Sequence, residues 1–278
     1  MAQFNENILI KIFIDIDDFC KCHEAWLEAH PGRPYGEWRS NLSRSEAMTI
    51  LVCYQLSGYK NFAYYYEKMV LPELSGYFPG LVGYKSFLSL IPSCLDQLYM
   101  YATWQAAQSA RTGIYYVDSK KLPVCDNRRI HSNKVFAGVA GRGKSSTGWF
   151  YGLKLHLVVN NMGEAVSFLF TPANVGDNNH KVLGHLLDRL KGACYGDRGY
   201  LSSLFEEFYC KGLKLVTKIR KNMKNALVPL HERYRLMKRA MIESVNDILM
   251  TVCDIDHTRH RSPVNAIAHM TCALIAYN

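Results

Sequence analysis

Two aspartates stand at the ends of short apolar runs rich in β-formers. Asp118 follows Ile114-Tyr115-Tyr116-Val117, and Asp197 follows Tyr195-Gly196 and precedes Arg198-Gly199-Tyr200. A carboxylate at a strand end is aimed by rigid backbone yet stays open to solvent and substrate, and flanking glycines allow a ligand or a second backbone to come close. Asp beside Ser or Gly is also ordinary turn chemistry, so neither residue decides anything alone. A third acid, Glu243, falls in the helical stretch Leu236–Met250. There Met237, Met241, Val245, Ile248 and Val252 recur as a buried stripe, and Glu243 faces elsewhere with Arg239 four residues before it and Asp247 four after. A surface Arg–Glu pair explains that spacing equally plainly. As a set, however, three carboxylates meeting at one point repel unless hard cations neutralise them, which suits Mg²⁺ or Mn²⁺. Two such ions per site are the requirement of metal-assisted phosphoryl transfer. In that arrangement Asp118 bridges both ions, and Asp197 and Glu243 each complete one side.

The elements that must position these acids change character along the chain. From residue 7 to about 110 the pattern is helical. Ile8, Ile12, Ile16 and Phe19 recur at helical spacing up to the turn Pro31-Gly32-Arg33-Pro34. Ser43-Arg44-Ser45-Glu46 is a capping box ahead of a helix that should stop at Gly58. Further helices are expected near Asn61–Val70 and Lys85–Ala110, the second interrupted or kinked at Pro92. After Gly113 the period becomes that of strands. A strand ends at Asp118, and Leu153–Val159 with Ala165–Phe170 should form a hairpin about Asn160-Asn161-Met162-Gly163. Helices (about Asn179–Lys191 and Ser203–Lys211) and strands (into Gly196-Asp197, then Leu213–Ile219) alternate up to a last pair of helices from about His231. The reading is an all-α domain over 1–112 and a mixed α/β sheet domain over 113–278.

Charge follows the same division. Residues 1–113 hold 9 basic and 11 acidic side chains, whereas residues 114–278 hold 24 and 13, a local excess of +11 within an overall +9. A field that uneven favours a phosphate-rich partner. Nine scattered cysteines do not read as a disulfide framework, and no uninterrupted apolar segment follows Met1–Asn7, so a reducing cytoplasm is expected. The uncharged stretch Ser262–Asn278 carries Asn265, His269 and Asn278 and reads as a buried terminal helix, with no membrane partner.

Several other residues invite chemistry. Gly138-Val139-Ala140-Gly141-Arg142-Gly143-Lys144-Ser145 satisfies the spacing of a phosphate-binding loop, but an alternating strand follows where a helix N-terminus is needed. A mobile basic loop is expected at Ala140–Gly148 instead. Arg128, Arg129, Lys134, Arg142 and Lys144 cluster between the first strand and the hairpin, where they could track a DNA backbone. Lys120, Lys121, Arg198 and Arg239 adjoin the three acids in sequence or share their helix. His156 is either near the scissile phosphate or a hydrogen-bonded core histidine, and Asp177 reads as a helix cap ahead of a metal ligand.

The chain resembles the DDE transposases of bacterial insertion sequences, and most of all insertion-sequence family nine-eight-two. The resemblance rests on Leu42-Ser43-Arg44-Ser45-Glu46, Ser57-Gly58-Tyr59-Lys60-Asn61-Phe62, Val117-Asp118-Ser119-Lys120-Lys121-Leu122 and Asn127-Arg128-Arg129-Ile130-His131. It continues through Arg142–Ser146, Gly148–His156, Thr171-Pro172-Ala173-Asn174-Val175, Gly196-Asp197-Arg198-Gly199-Tyr200 and Ile242-Glu243-Ser244. It implies an RNase H-like mixed five-stranded sheet flanked by helices, with the strands ending at Asp118 and Asp197 side by side. It departs from related enzymes at Leu236 and Met250, where those often carry a tyrosine and a lysine. The function implied is divalent-metal-dependent cleavage and strand transfer of double-stranded DNA, at element ends and target, by a nucleoid-associated protein acting as a homodimer. The helical domain would serve end recognition or dimer contacts. A nuclease that cuts without joining, or a DNA-binding protein that has lost catalysis, are the alternatives.

Overall fold

The computed structural model describes residues 5–30, 38–145, 148–200, 204–217, 229–257 and 260–278. Two compact units emerge. One comprises 1–102 with 251–255 and 261–277, and the other comprises 103–250 with 256–260 and residue 278. The units therefore interleave along the chain, unlike a single cut at 112/113, and the C-terminal helix belongs to the first.

The first unit holds α1 (Glu6–Ala29), α2 (Arg44–Leu56), α3 (Phe62–Tyr65), α4 (Leu71–Glu73), most of α5 (Tyr84–Gln108) and α10 (Pro263–Tyr277). The capping box forms: Glu46 N–H donates to Ser43 Oγ at 3.1 Å, and Ser43 N–H donates to Glu46 Oε2 at 2.6 Å. Gly58, at φ +73°, follows the helix end. Helix α2 is buried along nearly all its length, and α1 and α10 both pack on it. A π turn, Tyr66–Val70, joins α3 to α4, so the expected helix over Asn61–Val70 runs on to Glu73. Pro92 sits inside α5 without ending it. The expected turn at 31–34 lies outside the described residues.

The second unit is a six-stranded mixed sheet: β1 (Ile114–Cys125), β2 (Gly141–Ser145), β3 (Gly148–Asn160), β4 (Ala165–Pro172), β5 (Gly192–Gly196) and β6 (Leu213–Thr217). The order is β2-β3-β1-β5-β6, with β4 also paired to β3. Strands β1 to β4 pair antiparallel, whereas β1–β5 and β5–β6 are parallel. This is an RNase H-like sheet with one strand more than expected. Helices α6 (His180–Leu187), α7 (Phe205–Cys210), α8 (Leu230–Met237) and α9 (Ala240–Thr251) accompany it. The predicted ends at 203 and 218–219 lie outside the described residues, and the expected last pair of helices is three: α8, α9 and α10.

Alternation along β1 and β5 sorts side chains between two faces. Tyr115, Val117 and Cys194 pack with Val182, Leu183, Leu186 and Leu187 of α6 and Phe208 of α7. On the other face the rings of Tyr116 and Tyr195 meet at 5.9 Å. Asp118 and Asp197 are the next residues on that face.

Two expectations change here. Strand β1 does not end at Asp118 but continues to Cys125, because β3 pairs with it from Tyr115 to Cys125 while β5 pairs only with Ile114–Tyr116. Residues 141–145 are not a mobile loop but strand β2, which takes the edge of β3 ahead of β4. Its glycines permit close packing: a Cβ on Gly143 would stand 2.4 Å from the Ala173 carbonyl oxygen, and one on Gly141 would stand 2.2 Å from Asn174 Oδ1. The β3–β4 hairpin forms as expected, with buried Asn160 Oδ1 accepting from the N–H groups of Met162 and Glu164.

Strand packing at Gly143 predicts that Gly143→Ala lowers stability by about 1–3 kcal/mol in urea unfolding. Lys144→Ala, on the exposed face, should stay within about 0.5 kcal/mol of the parent.

Candidate active site

Asp118 occupies the place where β1 parts from β5. The last parallel pair is Tyr116↔Tyr195, and Gly196 is packed so closely that a Cβ there would stand 3.0 Å from Val117 Cγ1. Beyond that point no strand among the described residues lies on the β5 side of β1, and the Asp118 carboxylate meets α9 instead. Asn246 Nδ2 donates to Asp118 Oδ2 at 3.1 Å. Burial raises the Asp118 carboxyl to about 6, the nearby charges of Asp177 and Asp197 push the same way, and Arg239 with the Ser119 N–H opposes them.

The helix that carries Glu243 differs from its sequence reading in two ways. It is broken: α8 stops at Met237 and α9 starts at Ala240, leaving Lys238 and Arg239 in the turn between them. Its buried stripe is Ile242, Val245, Asn246 and Leu249, whereas Met237, Met241, Ile248 and Val252 are exposed. Of the expected stripe only Val245 is buried; the rest was out of phase, since Met, Ile and Val occur on both faces and the buried Asn246 faces Asp118.

The turn places Arg239 between the other two acids. Its Nη1 lies 3.1 Å from Asp197 Oδ1 and its Nη2 lies 3.8 Å from Glu243 Oε1. The arginine side chain is only 9% exposed, while those of Asp197 and Glu243 are 52% and 64% exposed. Two carboxylates from different elements thus share one buried guanidinium, on the sheet face that Asp118 also occupies. Among the described residues no three His, Cys, Asp or Glu side chains surround one point closely enough to hold a metal ion. The donor set is nevertheless of the kind a hard divalent cation takes: all oxygen, with one desolvated carboxylate that carries a destabilising charge. It fits such an ion by chemistry.

A second polar group lies on the opposite face of β1. Ser119 pairs in register with His156 of β3, and Lys121 with Lys154. Lys154 Nζ donates to Asp177 Oδ1 and to the Val175 carbonyl, both at 3.0 Å. Asp177 is therefore not the cap of α6; Asn179 is, accepting from the N–H groups of Lys181 and Val182. His156 is fully buried, with Nε2 2.9 Å from Thr171 Oγ1, and burial lowers it to about 4, so it is a neutral core histidine rather than a group facing substrate.

A family model described as a transposase DDE domain matches residues 108–263. The chain belongs to this family of transposases. No curated protein and no solved structure matches it. The matched stretch contains all three acids and every basic side chain singled out above.

Within this transposase the basic residues fall into different surroundings. Arg128 and Arg129 are exposed on the 3₁₀ turn Asn127–Ser132, Lys134 is exposed just after it, and Arg142 and Lys144 are exposed on β2. Lys120, 29% exposed, lies 3.9 Å from Asp247. Lys121 is half-buried. The side chain of Arg198 lies outside the described residues. Arg239 is buried between carboxylates and is not presented at the surface. Sequence reasoning did not find Asn246 or the Lys154–Asp177 pair. The signal for the second was the strand alternation of Lys154 and His156 facing the loop that carries Asp177.

Because the folded state holds the Asp118 proton more tightly than the unfolded chain does, its charge costs stability as pH rises through about 4 to 6. Asp118→Asn should therefore raise the stability of the EDTA-treated transposase near about pH 7.5 by about 1–3 kcal/mol and leave it almost unchanged near about pH 4. Thermal melts of parent and variant at the two pH values check this, and an Asp118→Asn variant that melts no higher than the parent at the higher pH would contradict it.

Proposed function

We propose that this transposase cuts double-stranded DNA at the ends of an insertion element and joins the freed 3′-hydroxyl to target DNA, using Asp118, Asp197 and Glu243. The observation that carries the reading is the shared Arg239 guanidinium, which keeps Asp197 and Glu243 adjacent on the face where Asn246 of the same helix holds Asp118. Such an arrangement suits a centre that must gather negative charge before it is loaded. Two Mg²⁺ or Mn²⁺ ions, when bound, supply activation of the attacking oxygen and stabilisation of the leaving oxygen. Asp118, Asp197 and Glu243 would hold them.

In the first step a water oxygen bonds to phosphorus at the element end, the bond to the 3′-oxygen breaks, and a 3′-hydroxyl is released. In the second that hydroxyl attacks a target phosphodiester, so one phosphoester bond forms as another breaks. The exposed Arg128, Arg129, Lys134, Arg142 and Lys144, with Lys120, Lys121 and Arg198, would track the backbone of the duplex. The helical part over 1–112 would serve end recognition or contacts within a homodimer. Membership of insertion-sequence family nine-eight-two rests on the sequence resemblance. No helix among the described residues is long and apolar enough to cross a membrane.

Labelled end DNA incubated with target DNA and Mg²⁺ should yield joined product. Asp118→Asn, Asp197→Asn and Glu243→Gln should each reduce cleavage at least about a thousandfold, since groups acting as a unit fail together. Cleavage without joining would mark a nuclease, and binding without either would mark a protein that has lost catalysis. Undiminished activity in the three variants would remove the site.

Binding to duplex DNA should weaken steeply with added salt, because counterions released on binding are recaptured. Replacing Arg128 and Arg129 together by Gln should lower the slope of log affinity against log salt by about 2. A flat salt response would argue against contact with the backbone.

A further inference from the structure

The hairpin of β2 and β3 has two unlike faces. On one, Gly143 and Phe150 are buried, and Gly141 and Gly143 lie against Ala173 and Asn174. On the other, the register pairs Lys144 with Trp149 and Arg142 with Tyr151, so two cations and two aromatic rings share the outward surface. Trp149 is 52% exposed although it sits within a strand. The Arg142 guanidinium lies over its ring at 5.1 Å from the centroid and the Lys144 ammonium at 5.8 Å. Both cations come from the β2 side of the ring. The backbone beneath is fixed, with Asn127 Nδ2 donating to the Trp149 carbonyl at 2.7 Å and Tyr151 hydroxyl donating to the Phe136 carbonyl at 3.2 Å.

We propose that this outward face binds an unpaired DNA base, which stacks on Trp149 while Arg142 and Lys144 engage the adjoining phosphates. The inference rests on DNA being the substrate and goes beyond it by naming the form of DNA. A large exposed ring on a braced backbone offers a π surface, and cations beside it offer partners for a backbone; together these are what single-stranded nucleic acid requires. A paired base shows only its edges in the grooves, so it has no face to give to the ring. Only an unpaired nucleotide can use Trp149 together with the cations beside it. The same segment explains the phosphate-loop spacing in the sequence: its glycines seat the hairpin and its Arg and Lys point outward.

The test compares the full-length protein on two synthetic DNAs of one sequence, a blunt duplex and the same duplex with a short single-stranded tail carrying 2-aminopurine. Anisotropy gives affinity, and quenching of the 2-aminopurine reports stacking. The parent should prefer the tailed DNA and quench it. Trp149→Leu, which keeps bulk but has no ring, should lose roughly five- to a hundredfold on the tailed DNA and bind the blunt duplex as before. Trp149→Phe, which keeps a ring, should retain most of the preference and the quench. The inference is overturned if Leu and Phe behave alike, if Trp149→Leu weakens both DNAs equally, or if the parent shows no preference. In each of those cases continued binding of blunt duplex leaves the DNA reading standing. Failure of the parent to bind either DNA at low salt would overturn both.

Discussion

Carboxylates that must remain ionised at close range repel one another, and in this transposase the Arg239 guanidinium offsets that repulsion for Asp197 and Glu243. The dependence is mutual. A guanidinium side chain left 9% exposed has surrendered most of its water and needs anions beside it, and Arg239 Nε has no hydrogen-bond partner among the described residues to share the cost. Its placement follows from the break between α8 and α9. A continuous helix would carry Arg239 four residues before Glu243 on a regular surface, as an ordinary exposed pair. The turn at Lys238–Arg239 instead directs it inward to a carboxylate from the end of β5. Backbone irregularity and charge balance are therefore one feature.

Strand geometry sets the rest. Because neighbours in a strand face opposite sides, Asp118 and Ser119 belong to different environments although they are adjacent. On the α9 side Asp118 is desolvated, and burial, more than Arg239 can offset, raises its carboxyl. On the α6 side Lys154 and Asp177 are already matched and His156 is neutral, so that region is electrostatically closed. The two systems still sense each other, since Asp177 adds to the pressure on Asp118. Asp177 also reaches toward the second acid's loop, where its Oδ2 lies 3.5 Å from the place a Cβ on Gly199 would occupy. The paired cluster thus lies against the loop that holds Asp197 from the opposite face.

Much of the fold was legible from local pattern. The capping box at Ser43–Glu46, the turn about Asn160 and the alternation in β3 are short-range signals, and each element formed where they indicated. Three features depend on partners distant in sequence and were misread. The end of β1 is set by β3, which continues to pair after β5 has left, and nothing within Val117-Asp118-Ser119 announces it. The phase of α9 is set by a buried polar residue, Asn246, whose burial makes sense only once Asp118 is opposite. The stripe drawn through Met237, Met241, Val245, Ile248 and Val252 satisfied helical spacing, yet of these only Val245 is buried, because apolar residues also occupy the exposed face. The sequence suggested the three acids as a set, but the arginine that lies between two of them read as a contact for DNA.

The Gly-Arg-Gly-Lys segment shows why spacing alone misleads. In a phosphate-binding loop glycines serve because the chain must bend and present its amides; here they serve because β2 must approach the backbone at Ala173 and Asn174. Positive φ is found at Gly138 and Gly148, at +82° and +114°, outside β2, while Gly141 and Gly143 have none. Small residues at alternate positions mark one face of the strand as the packed one. The residues between them must then face away, and at those positions the chain carries Arg142 and Lys144. The same period of two that forbids a phosphate loop places both cations beside Trp149, so the charge near that ring is a consequence of how the hairpin is seated.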